Sequence, residues 1–180
     1  MVRSSVLLLA AVLLVATPAS ATMTWGIFDI LGTVGLVDWD GDGTVGFGGG
    51  VTVAQMDQLA IDARIQYWSS DLGGLDSDFS VLAILPGATW HFPLENSPSI
   101  TPFVRGGLGF YRASVDVPAI DTGFGVIGGG SSSSTEFGIF LGGGAEFDLN
   151  EEVAIRGIIE LHLSDADYNF FGGEFVYTLP

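Results

Sequence analysis

The sequence predicts an all-β fold, an eight-stranded antiparallel up-and-down transmembrane β-barrel. The mean hydropathy is positive, at +0.49, yet after residue 21 the chain contains no run of about 20 apolar residues that could form a membrane helix. Segments of about 10 to 14 residues with alternating or β-rich character recur along the chain. An even number of antiparallel strands can close without free edges, as a membrane span built from strands requires.

The first segment is not part of that barrel. Residues 1–21 are predicted to be a secretory signal peptide and residues 22–180 the barrel domain, because Arg3 precedes an apolar run over 6–15 and a small-residue cleavage site over 19–21. The apolar run is short for a transmembrane helix. Export would permit disulfides, but the chain has no cysteine, so the sheet itself has to supply the stability.

Eight segments are predicted to be strands, separated by Gly, Asp, Ser and Pro clusters. In chain order they are 24–37, 44–55, 59–68, 79–93, 101–113, 135–148, 153–163 and 169–179. The connections after the second, fourth and sixth segments are short and the others are longer, as expected of turns at one end of a membrane barrel and loops at the other. The stretch GGGSSSS, residues 128–134, has the composition of a flexible linker and is assigned no structure.

Side-chain alternation separates charges from apolar residues. In the third segment Asp62 and Arg64 share one face, and in the seventh Arg156 and Glu160 do so. This polar phase is sparse, rich in glycine and charged with both signs, which favours a narrow lumen over the apolar interior of a soluble lipocalin-type barrel. Because an unpaired buried charge is costly, we predict a lumen ion-pair network. Its predicted members are Asp62, Arg64, Arg105, Glu136, Glu146, Arg156, Glu160 and Glu174.

The charge balance is strongly acidic. There are 21 acidic and five basic residues, with no lysine, and removal of Arg3 with the signal peptide takes the formal charge from −16 to −17. Nucleic acid is therefore excluded as a natural partner, because phosphate neutralisation needs clustered Lys and Arg. Ten of the fourteen aspartates fall in or beside the connections assigned to the outside, which predicts a negative rim that attracts cations.

The stretch DWDGDG, residues 38–43, begins like a calcium-binding EF-hand loop, with carboxylates at alternate positions. Position twelve of such a loop requires a glutamate, and Gly49 stands there, so the stretch is not an EF-hand. A hairpin turn is favoured, because Asp and Gly readily adopt turn conformations. The alternative is weak, shared calcium binding by Asp38, Asp40 and Asp42. We predict no other cofactor.

The tryptophans and histidines are given structural roles. Trp25, Trp68 and Trp90 lie near segment ends and are predicted to form the aromatic girdle at the membrane interface. His91 and His162 are expected at opposite ends of the barrel, so we predict no metal site shared between them.

Three further stretches carry a family resemblance: TPFVRGGLGFYRAS, FGIFLGGGAEFDLNEEVAIRGIIELHLSD and FFGGEFVYTL. They resemble the small outer-membrane β-barrels of Gram-negative bacteria, the OmpA-type eight-stranded barrels. The resemblance implies a monomer in the outer membrane, surrounded by lipid and lipopolysaccharide and inserted by the barrel assembly machinery. That machinery usually recognises a terminal aromatic residue; this chain ends Leu179-Pro180, with Phe175 and Tyr177 keeping the alternation.

A shared fold does not define an activity. We therefore predict a structural, surface or minor-permeability role without catalysis. The alternative is an esterase, because ELHLSDAD resembles the His-x-Ser-Asn-Ala motif of lipid A 3-O-deacylases, with Asp165 in place of Asn. That resemblance implies His162 as base, Ser164 as nucleophile and Glu174 as orienting acid. The alternation instead favours a lumen position for His162, since it shares its phase with Arg156.

Overall fold

The chain forms a closed barrel of eight antiparallel strands, each paired with its neighbours in sequence and β1 with β8. The computed structural model describes residues 23–39, 41–72, 77–97, 99–121, 126–165 and 167–180. The strands are β1 (Thr24–Trp39), β2 (Asp42–Met56), β3 (Leu59–Leu72), β4 (Ser77–His91), β5 (Ile100–Asp121), β6 (Val126–Asp148), β7 (Val153–Leu163) and β8 (Tyr168–Thr178). The predicted fold class is confirmed. In the described ranges, no helix is long and apolar enough to cross a membrane.

Several strands are longer than predicted, most of all β5 and β6. Residues 131–134 of the GGGSSSS stretch belong to β6 and pair with residues 113–116 of β5, so assigning them no structure was wrong. The backbone groups of these serines are satisfied by the neighbouring strand, and a hairpin can therefore continue through residues of low β-propensity. The predicted long outer connections are, for the most part, continued hairpins.

The DWDGDG stretch lies in the hairpin between β1 and β2. The two strands remain paired as far as Trp39 and Asp42. Gly41 has φ of +86°, a left-handed conformation that suits glycine in a tight hairpin turn. Asp40 lies outside the described residues. At the other end of the barrel, Asp57 takes the left-handed conformation, with φ of +44°, in the turn between β2 and β3.

The outward face of the barrel carries an apolar band. Along β7 every second residue from Ala154 to His162 is buried and the residues between them are exposed. The exposed positions carry large apolar side chains, such as Ile159 at 59% exposed, Val34 at 58% and Phe47 at 57%. A bilayer requires such a surface, with polar groups kept inside.

Trp68 does not belong to the interfacial girdle, and its prediction as an anchor was wrong. Its side chain is fully buried in the lumen, with ring centroids 5.5 Å from Phe79 and 5.4 Å from Tyr168. The reason is the strand phase, since Trp68 continues the inward series through Arg64 and Gln66. Nearness to a segment end was a weaker indicator of its role than alternation.

Inward-facing glycines make room for the large side chains of the lumen. A Cβ at Gly142 would lie 2.8 Å from Cγ of Glu160, and one at Gly144 would fall on the carbonyl oxygen of Gly157. Glycine is needed at both positions because the neighbouring strand and its side chains approach too closely for any Cβ. β6 therefore presents no side chain to the lumen at these two positions, which leaves room for the charged side chains that cross it.

Candidate functional site

Three arginines meet acidic side chains across the middle of the lumen. Arg64 on β3, Arg105 on β5 and Arg156 on β7 all take the inward phase and are only 3–5% exposed. In Asp62, Glu160 and Glu174 the carboxylates are equally buried, at 1–4% exposed. Because burial of an unpaired charge costs several kcal/mol or more, each of these groups needs a partner nearby.

The charges alternate in sign along a connected chain. Arg64 Nε lies 3.1 Å from Asp62 Oδ1, and Arg64 Nη1 lies 2.9 Å from Glu160 Oε1. Glu160 Oε1 is also 2.6 Å from Arg105 Nε, and Arg105 Nη1 is 3.1 Å from Glu174 Oε2. Glu160 therefore lies between Arg64 and Arg105. Glu174 likewise lies between Arg105 and Arg156.

This series of ion pairs ends at the mouth of the barrel that carries the short turns, which we call the inner mouth. Arg156 Nη1 lies 2.9 Å from Glu174 Oε1, and Arg156 Nε lies 2.5 Å from Glu146 Oε2. The hydroxyl of Thr33 on β1 donates to Glu174 at 3.2 Å. From end to end, three arginines alternate with four acids, so the chain carries a formal charge of −1. We call these seven residues the lumen chain: Asp62, Arg64, Glu160, Arg105, Glu174, Arg156 and Glu146.

Glu136, the eighth residue predicted for this network, lies apart from it. Glu136 takes the inward phase of β6 opposite Tyr111, but it is ten residues from Glu146, which is about 34 Å along a strand. Its Oε1 accepts a hydrogen bond from Ser134 Oγ at 3.2 Å. Among the described residues, no arginine is within ion-pair distance of Glu136. Glu136 does face the lumen, as its phase predicted, but it lies at the outer mouth and not beside the lumen chain.

Aromatic faces take the place of some hydrogen-bond acceptors. Arg64 Nη2 and Arg105 Nη2 are buried with no hydrogen-bond partner in the described part of the chain. The contact between Arg105 Nε and Glu160 is a close ion pair whose geometry does not qualify as a hydrogen bond. The Arg64 guanidinium lies 4.8 Å from the ring centroid of Phe140, and that of Arg105 lies 5.7 Å from that of Phe103. Cation–π attraction thus supplements the ion pairs.

An aromatic layer around His162 closes the lumen on the outer side of the lumen chain. The His162 ring is fully buried and stacks on Tyr168, with centroids 4.1 Å apart and planes at 9°. Its Nδ1 lies 3.0 Å from the Tyr111 hydroxyl, and its Nε2 lies 3.5 Å from Glu160 Oε2. Phe140 packs on the ring at 5.9 Å. These side chains leave no exposed surface on the ring.

The three residues of the esterase alternative are not brought together. In the pairing of β7 with β8, His162 lies opposite Tyr168, while Glu174 lies opposite Arg156, six residues away or about 20 Å along the strand. The carboxylate beside His162 is that of Glu160. The backbone amide of Ser164 donates to Asp167 at 2.7 Å. Glu174 is therefore too far along the barrel to orient His162, and the predicted grouping of Ser164, His162 and Glu174 does not form.

In the described part of the chain a cavity opens at each end of the lumen, and the two share no lining residue. The inner cavity, of about 320 Å³, is lined by residues that include His91, Glu146 and Arg156; His91 Nε2 lies 3.4 Å from Arg156 Nη2. Asp148 lies at its edge, beyond the membrane-spanning part of β6. Desolvation and the nearby Glu146 carboxylate raise the pKa of Asp148.

The outer cavity, of about 310 Å³, contains two aromatic residues that had no predicted role, Trp39 and Phe79. Their rings stack with centroids 4.5 Å apart. Each lies one alternation step outside an inward valine, Val37 or Val81. Trp39 would have been found by extending the alternation past the end of the first predicted segment, and Phe79 by applying it to the first residue of the fourth.

The calcium alternative rests on residues that the structure describes only in part. The Asp38 side chain is exposed; Asp40 and the side chain of Asp42 lie outside the described part of the chain. Within that part, no group of three or more potential ligand side chains is placed to hold a metal ion. Calcium binding by these aspartates stays a prediction, to be tested by calorimetric titration against a variant in which all three are changed to Asn.

Comparisons with known proteins agree with this architecture. The model of the outer membrane protein β-barrel domain matches residues 7–178. Neisserial surface protein A (NspA) is similar in structure, with a TM-score of 0.64, 13% identity and coverage of 88% of this chain and 99% of that one. OprG from Pseudomonas aeruginosa gives a TM-score of 0.53 at 12% identity, covering 85% and 97%. The N-terminal barrel of Pseudomonas aeruginosa OprF gives a TM-score of 0.51 at 13% identity, covering 86% of this chain and 99% of that one. A comparison with curated proteins finds no match.

Proposed function

The chain belongs to the outer membrane protein β-barrel family, and from this premise we propose that it is a structural or surface protein with at most minor permeability and no catalytic activity. We propose that it reaches the outer membrane after export directed by residues 1–21. Outer-membrane lipid and lipopolysaccharide would surround its apolar band, and the barrel assembly machinery would insert it. It would act as a monomer, because a closed barrel has no strand edge left to pair.

The observation that carries this proposal is the closure of the lumen at mid-height. The arginines and acids of the lumen chain cross it from β3 to β6, and the His162 layer lies directly against the chain. An eight-stranded barrel is just wide enough for side chains to fill its interior. These packed side chains therefore favour a barrier to solutes over an open pore.

Conductance in planar bilayers tests the barrier. The unmodified protein should show no steady, large open level, and Arg156→Ala should raise single-channel conductance, because it removes the side chain that bridges Glu146 and Glu174. Arg112→Ala is the matched control: Arg112 is exposed on the outward phase of β5, so the charge change is the same but occurs outside the lumen. If Arg156→Ala conducts no better than Arg112→Ala, the lumen chain is not the barrier.

The absence of catalysis is supported by the setting of His162. A base acting on lipid A would have to be reachable from the bilayer, whereas this ring is fully buried in the lumen between other aromatic rings. Mass spectrometry of lipid A from cells with and without the expressed protein should show identical acyl chains. Loss of an acyl chain that Ser164→Ala abolishes would establish the esterase instead.

A further inference from the structure

The outer cavity combines an aromatic floor with acidic walls. Trp39, Phe79 and Trp68 form a continuous aromatic group, with the ring of Trp68 centred 5.9 Å from that of Trp39 and 5.5 Å from that of Phe79. Trp68 is fully buried beneath, while Trp39 is half-buried and lines the cavity together with Phe79. Ala113 and Val115 of β5 complete this apolar side.

The wall that continues from Ala113 and Val115 onto the paired strand β6 is polar and negative. Ser132, Ser134 and Glu136 of β6 and Asp165, which follows β7, line it. Among the described residues, neither acid is paired with an arginine. The nearby arginine of this end, Arg112, takes the opposite, outward phase of β5. Two carboxylates therefore face a cavity whose other side is aromatic, and no arginine of the described residues is close enough to neutralise them.

From this arrangement we propose that the outer cavity binds a small organic cation, an ammonium compound with a short apolar body. Carboxylates attract the charge, and the faces of aromatic rings attract cations that are large and weakly hydrated. The serine hydroxyls can accept or donate a hydrogen bond to a polar substituent. At about 310 Å³, the cavity is at the lower end of the range for small-molecule sites.

The chemistry of the walls distinguishes this ligand class from others. An anion would be repelled by Glu136 and Asp165 and by the overall formal charge of −16. A bare metal ion would gain little from Trp39 and Phe79, because hard cations prefer a shell of oxygen ligands. A neutral apolar molecule would leave both carboxylates without a counter-charge. The proposal does not depend on whether the lumen conducts, since the cavity lies on the outer side of the closed layer.

Choline chloride is a suitable probe, and 3,3-dimethylbutan-1-ol is its uncharged carbon isostere. Calorimetric titration of refolded protein in maltoside micelles, a detergent without an ammonium group, should show saturable binding of choline and none of the alcohol at the same concentration. Glu136→Gln should weaken choline binding by about fivefold or more, because it removes one of the two wall charges while keeping the shape of the side chain.

Asp116→Asn is the matched control, because Asp116 is exposed on the outward phase of β5 at the same end of the barrel. It should leave choline affinity within about twofold, since its charge is more distant and screened by salt. Asp165→Asn removes the second carboxylate of the same wall and should also weaken choline binding, with circular dichroism confirming the fold of each variant. No choline binding, equal binding of the alcohol, or equal weakening by Glu136→Gln and Asp116→Asn would each overturn the proposal.

Discussion

Glu174→Gln should be among the most destabilising isosteric changes in the lumen. The Glu174 side chain is 1% exposed and accepts from Arg105 at 3.1 Å, from Arg156 at 2.9 Å and from Thr33 at 3.2 Å. A glutamine keeps one oxygen acceptor, but its amide nitrogen would face an arginine. Arg105 and Arg156 would then lie next to each other without an anion between them.

The expected cost follows from that burial. Breaking a buried ion pair by removing one partner costs roughly 3–5 kcal/mol. Here each arginine keeps its other acid, Glu160 or Glu146, so we expect the lower end, about 3 kcal/mol, or roughly a hundredfold in the unfolding equilibrium. Urea unfolding in lipid vesicles, followed by tryptophan fluorescence, would measure it.

Glu146→Gln is the control for that experiment. It removes the same charge from the end of the lumen chain, where the side chain is 15% exposed and Arg156 is the one arginine of the described residues within ion-pair distance. Water can replace part of the lost interaction, and Arg156 keeps Glu174, so the cost should be about 1 kcal/mol. Equal costs for the two variants, or a cost below about 1 kcal/mol for Glu174→Gln, would refute the view of a connected, buried chain.

Three other predictions concern separate parts of the chain. Gly144→Ala should cost about 1–3 kcal/mol or prevent folding, because its Cβ would fall on the Gly157 carbonyl oxygen, whereas Gly157→Ala meets no atom within 4 Å and should be neutral or slightly stabilising in the same urea assay. Because the pKa of Asp148 is raised on folding, its contribution to stability should fall as the pH rises from its ordinary value of 3.8 through the raised value, and Asp148→Asn should remove that part of the pH dependence of urea unfolding. N-terminal sequencing of the exported protein should begin at Thr22, and a start at Met1 would contradict the predicted cleavage.

Alternation was the most informative signal in the sequence. It placed Arg64, Arg105 and Arg156 on one phase, and all three lie buried in the lumen. It could not give depth along the barrel axis, which depends on strand tilt and register, and for that reason Glu136 was grouped with acids about 34 Å away. Trp68 was misplaced because its position near a segment end was weighed above its phase.

The sequence also could not predict where the strands end or which side chains contact each other in the lumen. The serines 131–134 have low β-propensity, and only pairing with β5 makes them a strand. The contact of His162 with Tyr111 joins residues 51 positions apart in sequence, and which of several inward side chains meet depends on rotamers in a crowded lumen. Periodicity alone contains no information of that kind.

The lumen chain also bears on how the barrel forms. Its seven residues come from β3, β5, β6, β7 and β8, and Thr33 adds β1. The contacts that join strands not paired in sequence order, from Arg64 and Arg105 to Glu160 and Glu174, can form only once the lumen is closed, so we expect them to be missing from the transition state of folding. Interactions formed after that barrier slow unfolding without speeding folding. The buried charges should therefore lengthen the lifetime of the inserted barrel, and a chain inserted with strands out of register would lack that protection.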